Sequence, residues 1–598
     1  MGDAVVLPYH YQVMMAPMVA NLSDDNGDGA VDVHDTPDIV FNTFRSTEYR
    51  QDGVLRAISG ADGTRLWPTS DPAYRTWPAA EIAIGDVDPT SVGVEIVACA
   101  ATTSADEPGH MILVARDGAL LREFPTVPCG FDAPAIGDMD NDGTPEIVMR
   151  YAIAHADGTV LRTIHDVPGT SGPYNTLAYL DGDGTLEMVS SAGAYHFDGT
   201  PLWERWVDDP TRPAISERGY VAIGDLDLDG APEVVVVVPR EHSILALDGM
   251  TGDTVWGPFD INPTDDPSVL ADVEGDGAQM GQGGGPPTIA NFDSDPNPEI
   301  AFAGGFAYVI FNHDGTRLWH ASTLDRSSRM TGSSVFDFEG DGVAEVAYND
   351  ERNFHIYRGT DGALLFSECN TSGTLSEYPI VVDVDNDDHA EIVLMQNNYA
   401  FRCEDGTWSG KGIRVLGHPR NEWVRTRRIW NEHTYHVTNI NEDGTVPTEE
   451  RPNWSTAGLN NFRQNVQPDG LFNAPDLVLT DLRATTSNCS AGVGLSVRVV
   501  NRGTAGAPRE IPITFYDNTG GDLVRIGTMP TTRALLPGES EIVELLPPFR
   551  LPDRVESGVF QFTAIANDPS DAPRLDVHEC DVTNNVVGPV DANCRSVE

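Results

Sequence analysis

Up to about residue 417 the chain alternates a run of closely spaced acids with a short, wholly apolar run. "DMDNDGTPEIV" at 138–148 is the clearest copy: Asp138, Asp140 and Asp142 alternate, Glu146 closes the loop, and the apolar run starts there. Copies begin near residues 24, 86, 138, 179, 225, 291, 337 and 383. Runs such as "EVVVVV" at 233–238 have strand length and no polar face, as expected of a strand buried on both sides. A second signature falls between the copies, in "GADGTRLW", "FDGTPLW", "HDGTRLW" and their relatives, whose Asp-Gly core predicts a hairpin turn. Each unit therefore reads as strand, acidic loop, apolar strand and hairpin, which is four strands. Repetition of such units predicts an all-β chain and a β-propeller. Both signatures count eight blades; seven is the alternative, because the copy at 86 is degenerate.

Like charges at this spacing repel, so the loops need a compensating cation. Positions 1, 3, 5 and 9 offer side-chain oxygens and position 7 a backbone carbonyl. Hard oxygen donors on a short, glycine-relaxed loop suit Ca²⁺, whereas Mg²⁺ keeps its waters and rarely takes an all-protein cage. A turn alone needs one or two such residues, not acids at four fixed positions. The complete sets are Asp138, Asp140, Asp142, Thr144 and Glu146, and Asp225, Asp227, Asp229, Ala231 and Glu233. Asp337, Glu339, Asp341, Val343 and Glu345 form a competent set, as do Asp383, Asp385, Asp387, His389 and Glu391. Asn291 opens a further set with Asp293, Asp295, Asn297 and Glu299. The first copy offers Asp24, Asn26, Asp28 and Asp32, with Asp35 in an EF-hand-like twelfth position. Two copies read as weak: Tyr179 replaces the first acid before Asp181, Asp183 and Glu187, and at 86 only Asp86 and Asp88 remain, with Glu95 out of register. The expectation is about six structural calcium ions.

Composition narrows the function. A formal net charge of −55 excludes the basic face that a nucleic-acid binder needs and disfavours anionic membrane surfaces. The longest aliphatic run, "VVVVV" at 234–238, is far short of a membrane span. "MGDAVVLPYH" has no signal-peptide pattern, so a secreted chain is expected to have lost its leader. Among seven cysteines, Cys99 and Cys129, and Cys369 and Cys403, stand as local pairs beside predicted strands, which suits an oxidising compartment. Cys489, Cys580 and Cys594 lie near the C-terminus, one more than a further pair needs.

Three stretches break the rhythm. "ADVEGDGAQMGQGGGPPT" at 271–288 reads as a surface loop in which Asp272, Glu274 and Asp276 could gather. Residues 418–472 form an Arg/Trp-rich junction packing on the propeller, with Arg425, Arg427 and Arg428 as the one strong basic cluster, Trp430 beside it, and His433 and His436 three apart. The cluster reads either as a patch for an acidic glycan or carboxylate, or as a clamp pairing propeller acids. From residue 473 to 598 alternating strands such as "GLSVRVVNRG" and "IPITFYD" predict an Ig-like β-sandwich.

The D-x-D-x-D-G-x-x-E loops with their D-G-T-x-L-W hairpins resemble the FG-GAP/VCBS repeats of integrin-α-like propellers over residues 1–417. The opening "PDLVL", the "VNRG" at 500–503 and the late "HECDVTNN" resemble CARDB domains. These resemblances imply a calcium-binding, extracellular propeller with a surface-display domain, serving adhesion to a glycan or protein ligand. No nucleophile elbow, zinc helix or general-base set is visible, so a non-catalytic module is expected. The alternative is a calcium-dependent polysaccharide lyase with its site in the central funnel. "ALDGMTGDTVW" also evokes the tryptophan-docking repeats of quinoproteins, without a cofactor site.

Overall fold

The structure is a computed structural model that describes residues 7–67, 74–165, 170–206, 212–216, 218–262, 283–293, 295–467, 475–486, 493–503, 506–536, 538–545, 558–568 and 584–594. The acids of the 271–288 insert, together with Cys489 and Cys580, lie outside the described residues. Apart from a 3₁₀ turn at Val437–Asn439, the described elements are β-strands, and no described helix could cross a membrane. The chain divides into two compact units, one of residues 1–336, 343–417 and 426–466, the other of 337–342, 418–425 and 467–598.

Among the described residues the first unit holds eight sheets in chain order, antiparallel except where Ser171–Tyr174 pairs parallel with Phe131–Gly137. The second strand of sheets two to eight begins on the closing acid of a loop: Glu95–Ala100, Glu146–Met149, Glu187–Ser190, Glu233–Val238, Glu299–Ala303, Glu345–Asn349 and Glu391–Gln396. These strands are buried along their whole length, as their unbroken apolar runs require. Their leading neighbours, Met18–Ala20, Ala83–Gly85, Phe131–Gly137, Thr176–Ala178, Tyr220–Gly224, Thr288–Ala290, Ser333–Phe336 and Ile380–Val382, lie side by side in that order. Gln12 and Asn398 exchange hydrogen bonds (3.1 and 2.8 Å), tying the first sheet to the last. This arrangement fits the expected propeller.

The hairpin signature explains how neighbouring sheets adhere. The tryptophan of one hairpin lies against the glycine of the next: Trp67 on Gly118, Trp203 on Gly252, Trp256 on Gly315 and Trp319 on Gly362. Each of the first three indoles donates its N–H to a carbonyl of the next sheet at 2.8 Å, on Arg116, Gly249 and His313. Gly252 and Gly315 have positive φ (67° and 79°), and a Cβ there would meet the ring of Trp203 or Phe259 at 2.6 or 2.5 Å. At Gly118, Gly252, Gly315 and Gly362 glycine is therefore demanded twice, by the turn and by the incoming ring. Where sheets seven and eight meet, a disulfide joins Cys369 to Cys403; a second, Cys99–Cys129, lies within sheet two.

Residues 426–466 run among the leading strands instead of packing outside them. Trp430 bonds through its backbone to Val19, the Asn431 carbonyl accepts from Ile84, and the Glu432 carboxylate accepts from Ile136 (2.8–3.0 Å). Thr434 donates to the Asn175 carbonyl, Arg463 to Val221, and Asn465 to Val381. Phe462 and Gln464 form bridges to Ile289 and Val335. One segment thus bonds at or beside the leading strand of every sheet, and occupies the space those strands share.

Its buried charges are matched locally. His436 donates to Glu450 at 2.8 Å, both nearly fully buried. Burial alone would depress the imidazole, but the charge and hydrogen bond of Glu450 outweigh it and hold the pKa above the ordinary 6.5. A histidine raised in the folded state contributes stability that is complete below about 6.5, its unfolded value, and is lost as pH rises through the folded value. His436→Gln is therefore expected to remove a fall in stability that the parent protein shows as pH rises above about 6.5, as read by calcium-saturated urea unfolding at increasing pH.

The second unit contains two further antiparallel sheets. Leu477–Thr485, Gly494–Asn501 and Ser540–Leu545 form one; Val524–Pro530, Pro512–Asp517, Gly558–Ala566 and Val586–Cys594 form the other. Leu479, Val497, Phe515 and Phe562 belong to a single buried core drawn from both sheets.

Candidate metal centres

Five of the acidic loops curl back on their own first aspartate. Asp138 accepts from the N–H groups of Asp142 and Gly143 (3.0 and 2.7 Å), and Asp225 from those of Asp229 and Gly230 (both 3.0 Å). Asp383 does the same for Asn386 and Asp388, and Asp24 for Gly27 and Gly29. The curl needs left-handed backbone at the fourth and sixth positions, met by Asn141 and Gly143 (59° and 87°) and, in the fifth copy, by Leu228 and Gly230 (59° and 90°). Asp337 likewise accepts from Gly340, Asp341 and Gly342 (2.7–3.0 Å).

The closing glutamate anchors the other end. Oε2 of Glu146, Glu187, Glu233, Glu299 and Glu391 accepts the N–H of the loop's second residue at 2.7–3.1 Å. On Glu187 and Glu299 the remaining oxygen is buried and has no hydrogen-bond partner. Four of the sequence-predicted sets converge, with ligand atoms within 4.8 Å of one another: Asp138, Asp140 and Glu146; Asp225, Asp227 and Asp229; Asp293, Asp295 and Glu299; and Asp383, Asp385, Asp387 and Glu391. Asp142 instead accepts from Thr144, while the Asn291 amide ties back to the Asp295 carbonyl. Burial, then the neighbouring aspartates, pushes Glu299 up to about 8 and Glu391 up to about 9. Burial likewise lifts Asp383 to about 7. These crowded carboxylates carry more negative charge than their surroundings can solvate, which a divalent cation would offset.

Three side chains escaped the sequence pattern. In the first loop Asp35 is spent on the N–H groups of Asp25, Asn26 and Asp32, and Asp38 takes the closing role, accepting from Leu22 and Ser23. In the second, Glu95 is in register after all: a longer loop brings it to the N–H groups of Val87 and Asp88, both at 3.0 Å. In the fourth, His196 joins Asp181, Asp183 and Glu187. The signal was available: a histidine two residues before the hairpin Asp-Gly faces the closing glutamate of its sheet, as His155 faces Glu146.

The basic cluster does not form the exposed patch that one reading of the sequence allowed. Trp430 and His433 are fully buried, and His436 and Arg427 nearly so. Arg427 donates to Glu442, to the Tyr435 hydroxyl and to the carbonyls of Val437 and Ile440 (2.6–2.9 Å). Arg428 donates to the Val33 carbonyl and lies 3.7 Å from Asp383. Arg425 falls in the second unit. An ionic side chain without internal acceptors would be expelled toward water, so these arginines and their acceptors explain one another.

The fold is similar to that of the V. cholerae biofilm matrix protein Bap1, with a TM-score of 0.64 and 21% identity over 79% of this chain and 98% of that one. BBS1N in complex with ARL6DN is matched at a TM-score of 0.34 and 11% identity over 70% of this chain and 98% of that one, too weak to carry an argument. No family model matches the chain, and no curated protein matches it.

Proposed function

We propose that the protein is a secreted or cell-surface matrix component: an eight-bladed, calcium-stabilised propeller of the FG-GAP/VCBS type with a CARDB-like Ig domain, binding an extracellular glycan or protein without catalysis. The observation that carries this reading is the convergence of carboxylates in loop after loop, at 138, 291 and 383 together with the glutamate that also pins a strand. Calcium is the cation, held by the loops beginning at 24, 138, 225, 291 and 383. The loop beginning at 337 is expected from its sequence to take a sixth ion. The disulfides suit an oxidising compartment, and the fold shared with a biofilm matrix protein supports a matrix role.

A lyase would need substrate to reach a basic or tyrosine centre in the funnel. Tyr220, Tyr378, His433 and Arg463 do cluster near the leading strands, but all four are buried, the last two on the 426–466 segment itself. The deciding experiment incubates the protein with immobilised uronate-containing and neutral bacterial polysaccharides, in calcium and in chelator. Calcium-dependent retention with the polymer intact is the expected result. Release of unsaturated uronate products would replace this reading with the lyase, and no retention on any polymer would remove the glycan ligand.

A further inference from the structure

We infer that the fourth acidic loop, with His196, is a zinc-class transition-metal site, chemically distinct from the oxygen-only loops. Asp181, Asp183, Glu187 and His196 each place a ligand atom within 4.8 Å of the others. Tyr179 stands where the calcium loops have their first acid, so this loop lacks the residue that supplies both a ligand and the curl of its neighbours. In exchange it gains a nitrogen donor. The pairing of Met188 with Tyr195 sets Glu187 and His196 side by side on adjacent strands, and the hairpin bond from the His196 N–H to the Thr200 carbonyl (3.0 Å) holds the histidine backbone in place.

Glu187 points to a ligand independently of the acid count. Its carboxylate is fully buried, Oε2 is spent on the Leu180 N–H at 2.9 Å, and Oε1 has no hydrogen bond although His196 Nδ1 lies 3.3 Å away. The third sheet supplies the contrast. There His155 Nε2 meets Glu146 Oε1 at 2.8 Å in a formed hydrogen bond, and that histidine does not join the cluster of its loop. The fourth site has the same two residue types with the bond unmade and the imidazole nitrogen turned among three carboxylates. The His196 side chain is about a quarter exposed, which leaves an approach from solvent. Four donors, one of them imidazole, match the preference of Zn²⁺ for four-coordinate N/O sites; calcium asks for six to eight oxygens. Imidazole also moves the selectivity of an oxygen site toward first-row transition ions.

The test uses the full chain stripped with chelator and reloaded with excess calcium, so that it does not depend on how the other loops are filled. Co²⁺ serves as the spectroscopic probe and Zn²⁺ as the competitor. The expected result is one equivalent of Co²⁺ with visible absorption, displaced by Zn²⁺ and absent in His196→Ala, while His155→Ala keeps it. Far-ultraviolet circular dichroism and calcium content of His196→Ala, unchanged from the parent, separate loss of the ligand from loss of the fold. If His196→Ala misfolds, His196→Asn and Asp183→Asn replace it, each expected to lose the same band. An unchanged cobalt equivalent in folded His196 variants, or complete displacement of cobalt by calcium, would overturn the assignment.

Discussion

Stripping divalent cations is expected to lower the melting temperature of the first unit by about 10 °C or more, with recovery in calcium and little in magnesium. Each ion that binds only the folded state adds about 2.7 kcal/mol when present at a hundred times its Kd. Four converged clusters in the first unit would then supply about 10 kcal/mol, comparable to the whole stability of an ordinary domain. Magnesium fails because it would have to shed waters for a loop built to offer many oxygens. A single-site variant sharpens the test. Glu299→Gln keeps a side-chain oxygen for the Phe292 N–H but removes the charge facing Asp293 and Asp295. In calcium it should bind one ion fewer and lose about 2–3 kcal/mol; in chelator it should be neutral or slightly stabilising, because a buried repulsion is gone. Calorimetry in both conditions reads this reversal of sign. Equal destabilisation in both would mean that Glu299 serves only the backbone, and unchanged melting on chelation would reduce the acidic loops to turn chemistry.

What was legible in the chain was whatever repeats locally. A loop that must curl back on its first aspartate and close on a strand-opening glutamate writes its spacing into nine residues, and the all-β architecture followed from that repeat. The hairpin signature was equally readable, although its purpose was not: the tryptophan of "GTRLW" serves the glycine of the next unit, a contact between residues about fifty positions apart. Insertions hid Asp38 and Glu95, since a fixed nine-residue frame fails when the loop lengthens while the strand-end hydrogen bond persists. His196 was missed because it comes from the hairpin and not from the loop. Least legible was the 426–466 segment, whose partners lie up to several hundred residues away and whose own sequence has no period. A cluster of arginines in an acidic chain looks like a surface for an anion until the carbonyls that receive it are seen.

That segment yields the second large effect. Trp430→Ala removes a fully buried indole stacked on Tyr435 from the space shared by eight leading strands, and should cost about 3–5 kcal/mol. Arg463→Met keeps most of the side-chain volume but deletes the donors to the carbonyl of His433 within the segment and to those of Val221 and Pro287, which join the segment to sheets five and six. Burial lowers the Arg463 pKa to about 10, so desolvation of the guanidinium is a real cost that methionine would relieve. The carbonyls left behind decide the sign. The His433 carbonyl keeps the Tyr378 hydroxyl as a donor, but the carbonyls of Val221 and Pro287 lose the guanidinium at about 1–3 kcal/mol each, which outweighs that relief, and a net loss of about 2 kcal/mol is expected. Arg420→Ala, which breaks an exposed pair with Glu422, should change stability by less than about 1 kcal/mol. Thermal unfolding in saturating calcium ranks the three variants, and limited proteolysis reports whether 426–466 has come loose. Were the segment a ligand surface, Arg427→Ala would spare stability and weaken retention on an acidic polymer. With Arg427 holding Glu442, Tyr435 and two carbonyls inside the unit, the opposite order is expected, and loss of retention should follow only where stability is already lost.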